Sequence, residues 1–382
     1  MQAVRLGTPS YTWPAFADLI TTERTGREGH LDVPNGALDR TLAGDLDRLQ
    51  TEGVAVHALR LDPEKVADIR RYFEGLPAHA GFHVYSSDNR QRPLAEVRRE
   101  STLAGYTADQ VLRAPHLVDF LNRPAIVDFM QLALGCVPTL YSVNAWWSFP
   151  AVTPKGISNQ FFHRDNDDWR FFTLFLYLTD VDEGAGPHQL IAGSHTMTGM
   201  QQLVERTRAP IAPLESFKNY FGREFSARCE QSLRTAIVNV TGPAGTVFTA
   251  NTLAIHRGLM PTRTPRLVVW ARFGLGPNSN SVDLENGPLA LAQVPTALPD
   301  TPRNRYVNRL LFEFDRGPGP TYAPPEQVAA RPAPAAAPTP APATPAAAPA
   351  DGPLATTNLR LTLGDLKIVH PITVPRGAVP AA

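Results

Sequence analysis

Positive and negative side chains balance at 36 each across 382 residues. No surplus of one sign is present to draw the chain to nucleic acid or to an anionic membrane. Cysteine is scarce: Cys136 and Cys229 make neither a disulfide framework nor a CxxC metal or redox pair. The first residues, MQAVRLGTPS, contain no apolar core of the kind a secretory leader carries. No stretch approaches the roughly 18 uninterrupted apolar residues needed for a membrane span. A cytoplasmic protein with a small-molecule partner, no nucleic-acid partner and no membrane span is the expectation, with oligomeric state left open.

Proline, by contrast, is abundant, with 37 in the chain. Residues 323–350 hold 9 of them together with 13 alanines. That composition cannot bury a core and reads as an extended linker. The chain accordingly divides into an irregular N-terminal arm (1–37), a folded domain (38–320), an Ala/Pro-rich linker (321–350) and a C-terminal tail (351–382). The tail alternates in strand fashion over NLRLTLGDLKIVHPITV but is too small to fold alone.

Within the domain, helical patterns come first. Leu38, Leu42, Leu46 and Leu49 share a face. Asp62-Pro63 reads as a capped helix start, and Pro124–Leu134 ends at Gly135, a natural C-cap. Residues 77–106 lack periodicity and read as a polar surface loop or lid, with His79, His83 and Tyr85 at its mouth. The arginines 90, 92, 98 and 99 read as a solvated surface, or as a lure for an anionic substrate. From Thr139 the pattern changes to strands: TLYSVNAWWSF, QFFHRD, FFTLFLYLTDV and HQLIAG. A helical stretch at 196–226 interrupts them, and AIVNV, GTVFTA and RLVVWARFG follow. A helix at Arg303–Phe314 closes the domain. Helices followed by short strands with turn signals give an α+β fold with a sandwich or barrel core.

Two His-x-Asp triplets occur, and with 10 histidines and 36 acidic residues about one is expected by chance. His30-Leu31-Asp32 lies in the arm and reads as the accident. His163-Arg164-Asp165 lies among Phe161, Phe162, Phe171 and Phe172. On an extended backbone its His and Asp point to one side and can reach one ion. A metal needs a third ligand, and His256 is the candidate. Two histidines and a carboxylate leave three octahedral positions open, the arrangement of non-haem Fe(II) oxygenases. Arg266 follows ten residues later. If its strand pairs beside the one ending at His256, its guanidinium enters the same barrel. There it needs an anion, and a dicarboxylate held in a bidentate fork would supply it. The bland reading makes Arg266 a surface residue, as Arg263 and Arg272 would be.

The segments FHRDNDDWRFFTLFLYLTDVDEGAGPHQLIAGSH and GTVFTANTLAIHRGLMPTRTPRLVVWARFG resemble the phytanoyl-CoA dioxygenase family of Fe(II)/2-oxoglutarate-dependent oxygenases. The resemblance implies a double-stranded β-helix (jelly-roll, cupin-like) core flanked by N-terminal and inserted helices. It implies that His163, Asp165 and His256 bind Fe(II) and that Arg266 binds the 5-carboxylate of 2-oxoglutarate. Asn144, Trp146 and Thr173 are candidates for further cosubstrate contacts. No hydroxyl stands two residues past His256 or Arg266, where some relatives place one. A carboxylate at position 165, rather than Gly or Ala, implies hydroxylation with O2 rather than halogenation. His188 and His195 are expected to stabilise a turn and a strand end. The competing readings are a catalytically inactive jelly-roll binding protein and a zinc-dependent hydrolase using the same triad.

Overall fold

The run Phe171–Tyr177 has no polar alternation, and every one of its residues is buried, as a strand covered on both faces requires. The computed structural model describes residues 13–31, 40–81, 90–150, 160–165, 167–209, 222–276, 284, 287–314, 354–363 and 366–375. The Ala/Pro-rich linker, His83 and Tyr85 lie outside them.

The chain forms two compact units, Met1–Gly319 and Pro320–Ala382. In the first, the order is α1 (Trp13–Glu28), α2 (Arg40–Thr51), β1 (Val54–Arg60), α3 (Pro63–Glu74), β2 (Pro77–Ala80), β3 (Arg92–Pro93), α4 (Leu94–Glu100) and β4 (Leu103–Gly105). Then come α5 (Ala108–Leu112), α6 (Leu117–Leu121), α7 (Pro124–Leu134), β5 (Thr139–Ser148), β6 (Phe171–Tyr177), β7 (His188–Ile191), α8 (Met197–Thr207) and α9 (Arg223–Ser232). The unit ends with β8 (Ile237–Val240), β9 (Thr246–Ala250), β10 (His256–Gly258), β11 (Arg266–Gly274), β12 (Leu289–Ala290), α10 (Pro302–Asn308) and β13 (Phe312–Glu313). The second unit contains a hairpin of β14 (Leu354–Leu363) and β15 (Leu366–Pro375), paired along its whole length.

The fold is mixed helix and antiparallel sheet. A large sheet has the order β1-β9-β6-β11-β5-β4-β2-β3, and a small one the order β10-β7-β8. Strand β11 sits between β5 and β6 and pairs with both. The two sheets pack face to face: Phe175 and Phe248 of the large one meet His188 of the small one at ring-centroid distances of 4.7 and 5.4 Å. Leu190 and Val240 join the same apolar cluster.

Helix α2 is fixed to the large sheet by a buried polar chain. Asp45 accepts from His57 Nδ1 at 2.8 Å, and His57 Nε2 meets Thr249 Oγ1 at 2.7 Å. The arrangement is that of a catalytic triad, but Thr249 is fully buried and is not among the residues lining the cavity between the sheets, so the chain acts as a crosslink.

Several sequence expectations are corrected here. The arm expected to be irregular contains α1, a helix of low amphipathicity that tertiary contacts hold. Arg24 donates to the Tyr306 hydroxyl at 2.5 Å, and Arg170 pairs with Asp18. The described parts of the segment 77–106, residues 77–81 and 90–106, are built into the sheet through β2, β3 and β4 rather than looping free. Its short strands carry too few residues for a period to show. Arg92 pairs with Glu100, and Arg98 lies over the Phe149 ring. Asp62 precedes α3 with Pro63 in the first turn, yet its side chain makes no cap bond; it pairs with Lys65 instead. The closing helix stops at Asn308 and gives way to β13. QFFHRD is not a strand: His163 makes a single antiparallel bridge to His256.

Candidate active site

Directly opposed residues of an antiparallel pair share a face. On β11, Arg266 opposes Ser148, Val268 opposes Trp146 and Tyr177, Trp270 opposes Phe175, and Arg272 opposes Thr173. This row forms one wall of a cavity between the sheets. On the opposite wall, His256 opposes Leu190, and Gly258 opposes His188.

The triad is assembled by backbone pairing rather than by a strand carrying His-x-Asp. His163 and His256 exchange N–H···O=C bonds of 2.9 Å in both directions, and Asp165 N donates to Thr252 O at 2.9 Å. His163 Nδ1 donates to Phe161 O at 2.8 Å, and His256 Nδ1 donates to Ala254 O at 2.9 Å. Carbonyls only accept, so each Nδ1 carries a proton, and Nε2 is the atom of each ring left to bind a metal. Each Nε2 lies 3.5 Å from an Asp165 oxygen. One ligand atom from each of the three residues falls within 4.8 Å of the others. Adjacent ligands bound at about 2.1 Å stand about 3 Å apart, so the set fits a metal ion with little movement.

Electrostatics agree with that chemistry. Burial, and next the charge of His163, push His256 down to about 4, which keeps its imidazole neutral. Burial alone would raise the Asp165 carboxyl. The Arg272 guanidinium and the two imidazoles override it and hold Asp165 well below the usual carboxylate range.

Arg272 is a site residue that sequence reasoning missed. Expected at the surface, it is 16% exposed and donates from Nη2 to Asp165 Oδ2 at 2.6 Å. It also pairs with Asp167 and lies over the Trp270 ring at 4.5 Å. A sequence signal existed: Arg266 and Arg272 are six residues apart on one strand, an even spacing that puts both on one face.

Arg266 enters the cavity by a different route from the one expected. β10 and β11 do not pair; they belong to the two opposing sheets. The chain turns from β9 through residues 251–255 and places His256 across the cavity from the Arg266 strand. Arg266 is 3% exposed. Nη2 reaches Ser148 Oγ at 3.3 Å, while Nε and Nη1 are buried without an acceptor among the described residues.

Of the remaining candidates, Trp146 lines the cavity edge-on to Trp270, 5.9 Å between centroids. Thr173 lines it too, and its Oγ1 lies 3.2 Å from Thr252 Oγ1. That contact steadies the segment that holds Asp165. Asn144 opposes Trp270 in the ladder and is not among the cavity-lining residues. His195 meets Gln50 O at 2.9 Å and sits under Gly53, where any Cβ would collide with it. His188 does more than stabilise a turn: it lines the cavity beside the triad, its ring nearly parallel to His256 at 5.4 Å. No helix of the described residues is long and apolar enough to cross a membrane.

No family model matches the chain, and no curated protein matches it either. Several solved structures are similar. The epimerase SnoN from nogalamycin biosynthesis, in complex with Fe3+, alpha ketoglutarate and nogalamycin RO, is 17% identical; the match covers 61% of this chain and 83% of that one, with a TM-score of 0.42. HygX from Streptomyces hygroscopicus, with nickel and 2-oxoglutarate bound, is 16% identical over 62% of this chain and 87% of that one, TM-score 0.36. EctD from S. alaskensis in its apoform is 16% identical over 74% and 90%, TM-score 0.40. At these identities and scores, activity has to be argued from the chain's own residues.

Proposed function

We propose that the protein is a non-haem Fe(II)/2-oxoglutarate-dependent oxygenase of the phytanoyl-CoA dioxygenase type, hydroxylating a small organic substrate. The two facing sheets would then be the two halves of a double-stranded β-helix. The observation that carries the reading is the buried Arg266, whose Nε and Nη1 find no acceptor among the described residues, in the cavity that contains the His163–Asp165–His256 set. A guanidinium out of water is costly unless an anion answers it. A ligand with a carboxylate at one end and a metal-chelating 2-oxo acid at the other answers both ends of the cavity.

His163 and His256 would hold Fe(II) through Nε2, and Asp165 through one oxygen. With O2, the bound iron and 2-oxoglutarate supply oxidising power for an unactivated C–H bond, releasing succinate and CO2. The chain's own residues position and shield. Arg272 holds Asp165 Oδ2, which leaves Oδ1 for the metal. Trp146, Trp270, Val268 and Leu103 give the cavity apolar walls that exclude water.

A zinc hydrolase is less well supported. Among the described residues that line the cavity Asp165 is the one carboxylate, and Arg272 holds it, so none of them is left as general base. An inactive binding protein would not need an intact ligand set. The test is succinate release after anaerobic loading with Fe(II) and addition of 2-oxoglutarate and O2. Turnover above the His163→Ala background is expected. Its absence favours the binding reading, and O2-independent hydrolysis favours zinc.

A further inference from the structure

His188 is a buried polar residue to which the triad and Arg266 give no role. It is 5% exposed, and its Nε2 is buried without a hydrogen-bond partner among the described residues. The rings around it, Phe175 at 4.7 Å, Phe248 at 5.4 Å and His256 at 5.4 Å, make ring contacts with it and no hydrogen bond to Nε2. An imidazole nitrogen left unpaired inside a protein is expensive. The metal does not resolve it, because His188 is outside the group of ligand atoms that converge on one point.

The backbone places His188 toward the Arg266 end of the cavity. The His188 N–H donates to the Tyr177 hydroxyl at 3.0 Å, and that hydroxyl donates to Val240 O at 2.9 Å. Tyr177 opposes Val268, two residues from Arg266 on β11. The charge of Arg266 is felt at both the Tyr177 hydroxyl and the His188 ring. Three nitrogens of the cavity-lining residues therefore lack a hydrogen-bond partner among the described residues: Arg266 Nε, Arg266 Nη1 and His188 Nε2. One carboxylate, with two oxygens and about four lone pairs, can satisfy all of them.

We propose that His188 is a second recognition residue for the cosubstrate, donating from Nε2 to the carboxylate that Arg266 binds. The inference rests on the reading of the cavity as a 2-oxoglutarate site. It supplies the second contact for which no hydroxyl stands two residues past His256 or Arg266. A histidine in this place offers a directed N–H, which one oxygen of a carboxylate can accept.

The test is calorimetric titration of the Mn(II)-loaded protein with 2-oxoglutarate and with 2-oxopentanoate, the same carbon chain without the distal carboxylate. His188→Phe keeps an aromatic ring against His256 and removes the donor; His188→Gln keeps a donor. His188→Phe should weaken 2-oxoglutarate binding about tenfold or more, the range for a hydrogen bond to a charged group. It should leave 2-oxopentanoate and Mn(II) affinity within about twofold, and His188→Gln should recover most of the loss. Equal weakening of both acids shows a packing role and overturns the proposal. So does wild-type affinity for 2-oxoglutarate in His188→Phe. If His188→Phe fails to bind Mn(II), His188→Gln decides: affinity as low as that of Arg266 variants refutes the contact, and near-wild-type affinity supports it. If the wild-type protein binds no 2-oxoglutarate at all, the oxygenase reading falls first and this inference with it.

Discussion

Replacing Arg266 with methionine should move stability and binding in opposite directions. The side chain is 3% exposed and, among the described residues, makes one long bond, to Ser148 Oγ, with Nε and Nη1 unpaired. Methionine keeps much of the length and packing and removes the charge. Exchanging a buried, uncompensated ion for an apolar residue of similar volume stabilises by about 1–4 kcal/mol. For a folded unit of roughly 300 residues that is about 1.5–6 °C in Tm. The metal-loaded wild type, with 2-oxoglutarate at a hundred times its Kd, gains about 2.7 kcal/mol, or roughly 4 °C. Losing the buried charge partner costs about 2–5 kcal/mol of binding, a factor of roughly 30 to several thousand in Kd. Arg266→Met should therefore melt higher than the wild type without ligand and show almost no shift when 2-oxoglutarate is added. Thermal melts of Mn(II)-loaded protein with and without 2-oxoglutarate read both effects. A variant that melts several degrees lower and keeps the full ligand shift would show a structural guanidinium and remove the anchor from the proposed function.

Arg272→Leu should lower Mn(II) affinity about 10- to 100-fold, the usual effect of removing a residue that orients a metal ligand, because it frees Asp165 Oδ2 and leaves burial to raise the Asp165 carboxyl. Calorimetry reads it, and unchanged affinity would reduce Arg272 to a packing residue. The metal-free protein should lose stability on acidification. The His256 pKa is pushed from 6.5 to about 4, so the unfolded state takes up its proton first. Stability is thus full above pH 6.5 and falls as the pH drops toward 4. His57 and His188 are shifted in the same direction. Urea midpoints between pH 7 and 5 test this, and a flat profile that His256→Gln does not alter would refute it.

Much of the large sheet was legible because its strands carry their environment in their composition. Phe171–Tyr177 and Arg266–Gly274 are apolar almost throughout, so burial on both faces could be read without knowing what covers them. Gly135 at the end of α7 adopts the left-handed conformation that its residue type favours. Elements held from outside were not legible. Helix α1 depends on Arg24 and Arg170 contacts from remote segments, and β2 to β4 are only two to four residues long.

The same division runs through the candidate site. His163, Asp165, His256 and Arg266 could be chosen from the sequence because residue type and order along the chain restrict which side chains can hold an ion and an anion. How they meet was decided by tertiary structure. Asp165 is placed by a backbone bond to Thr252 rather than by strand alternation, and His256 faces the Arg266 strand from the opposite sheet rather than lying beside it. Arg272 and His188 show the limit most clearly. Whether an arginine near the end of a strand meets solvent or a buried carboxylate depends on which loop crosses above it. Whether a histidine after a Gly-Pro turn caps that turn or enters a cavity depends on the sheet it faces. Local sequence encodes the face of a strand, but its partner comes from residues tens of positions away, and only packing brings them together.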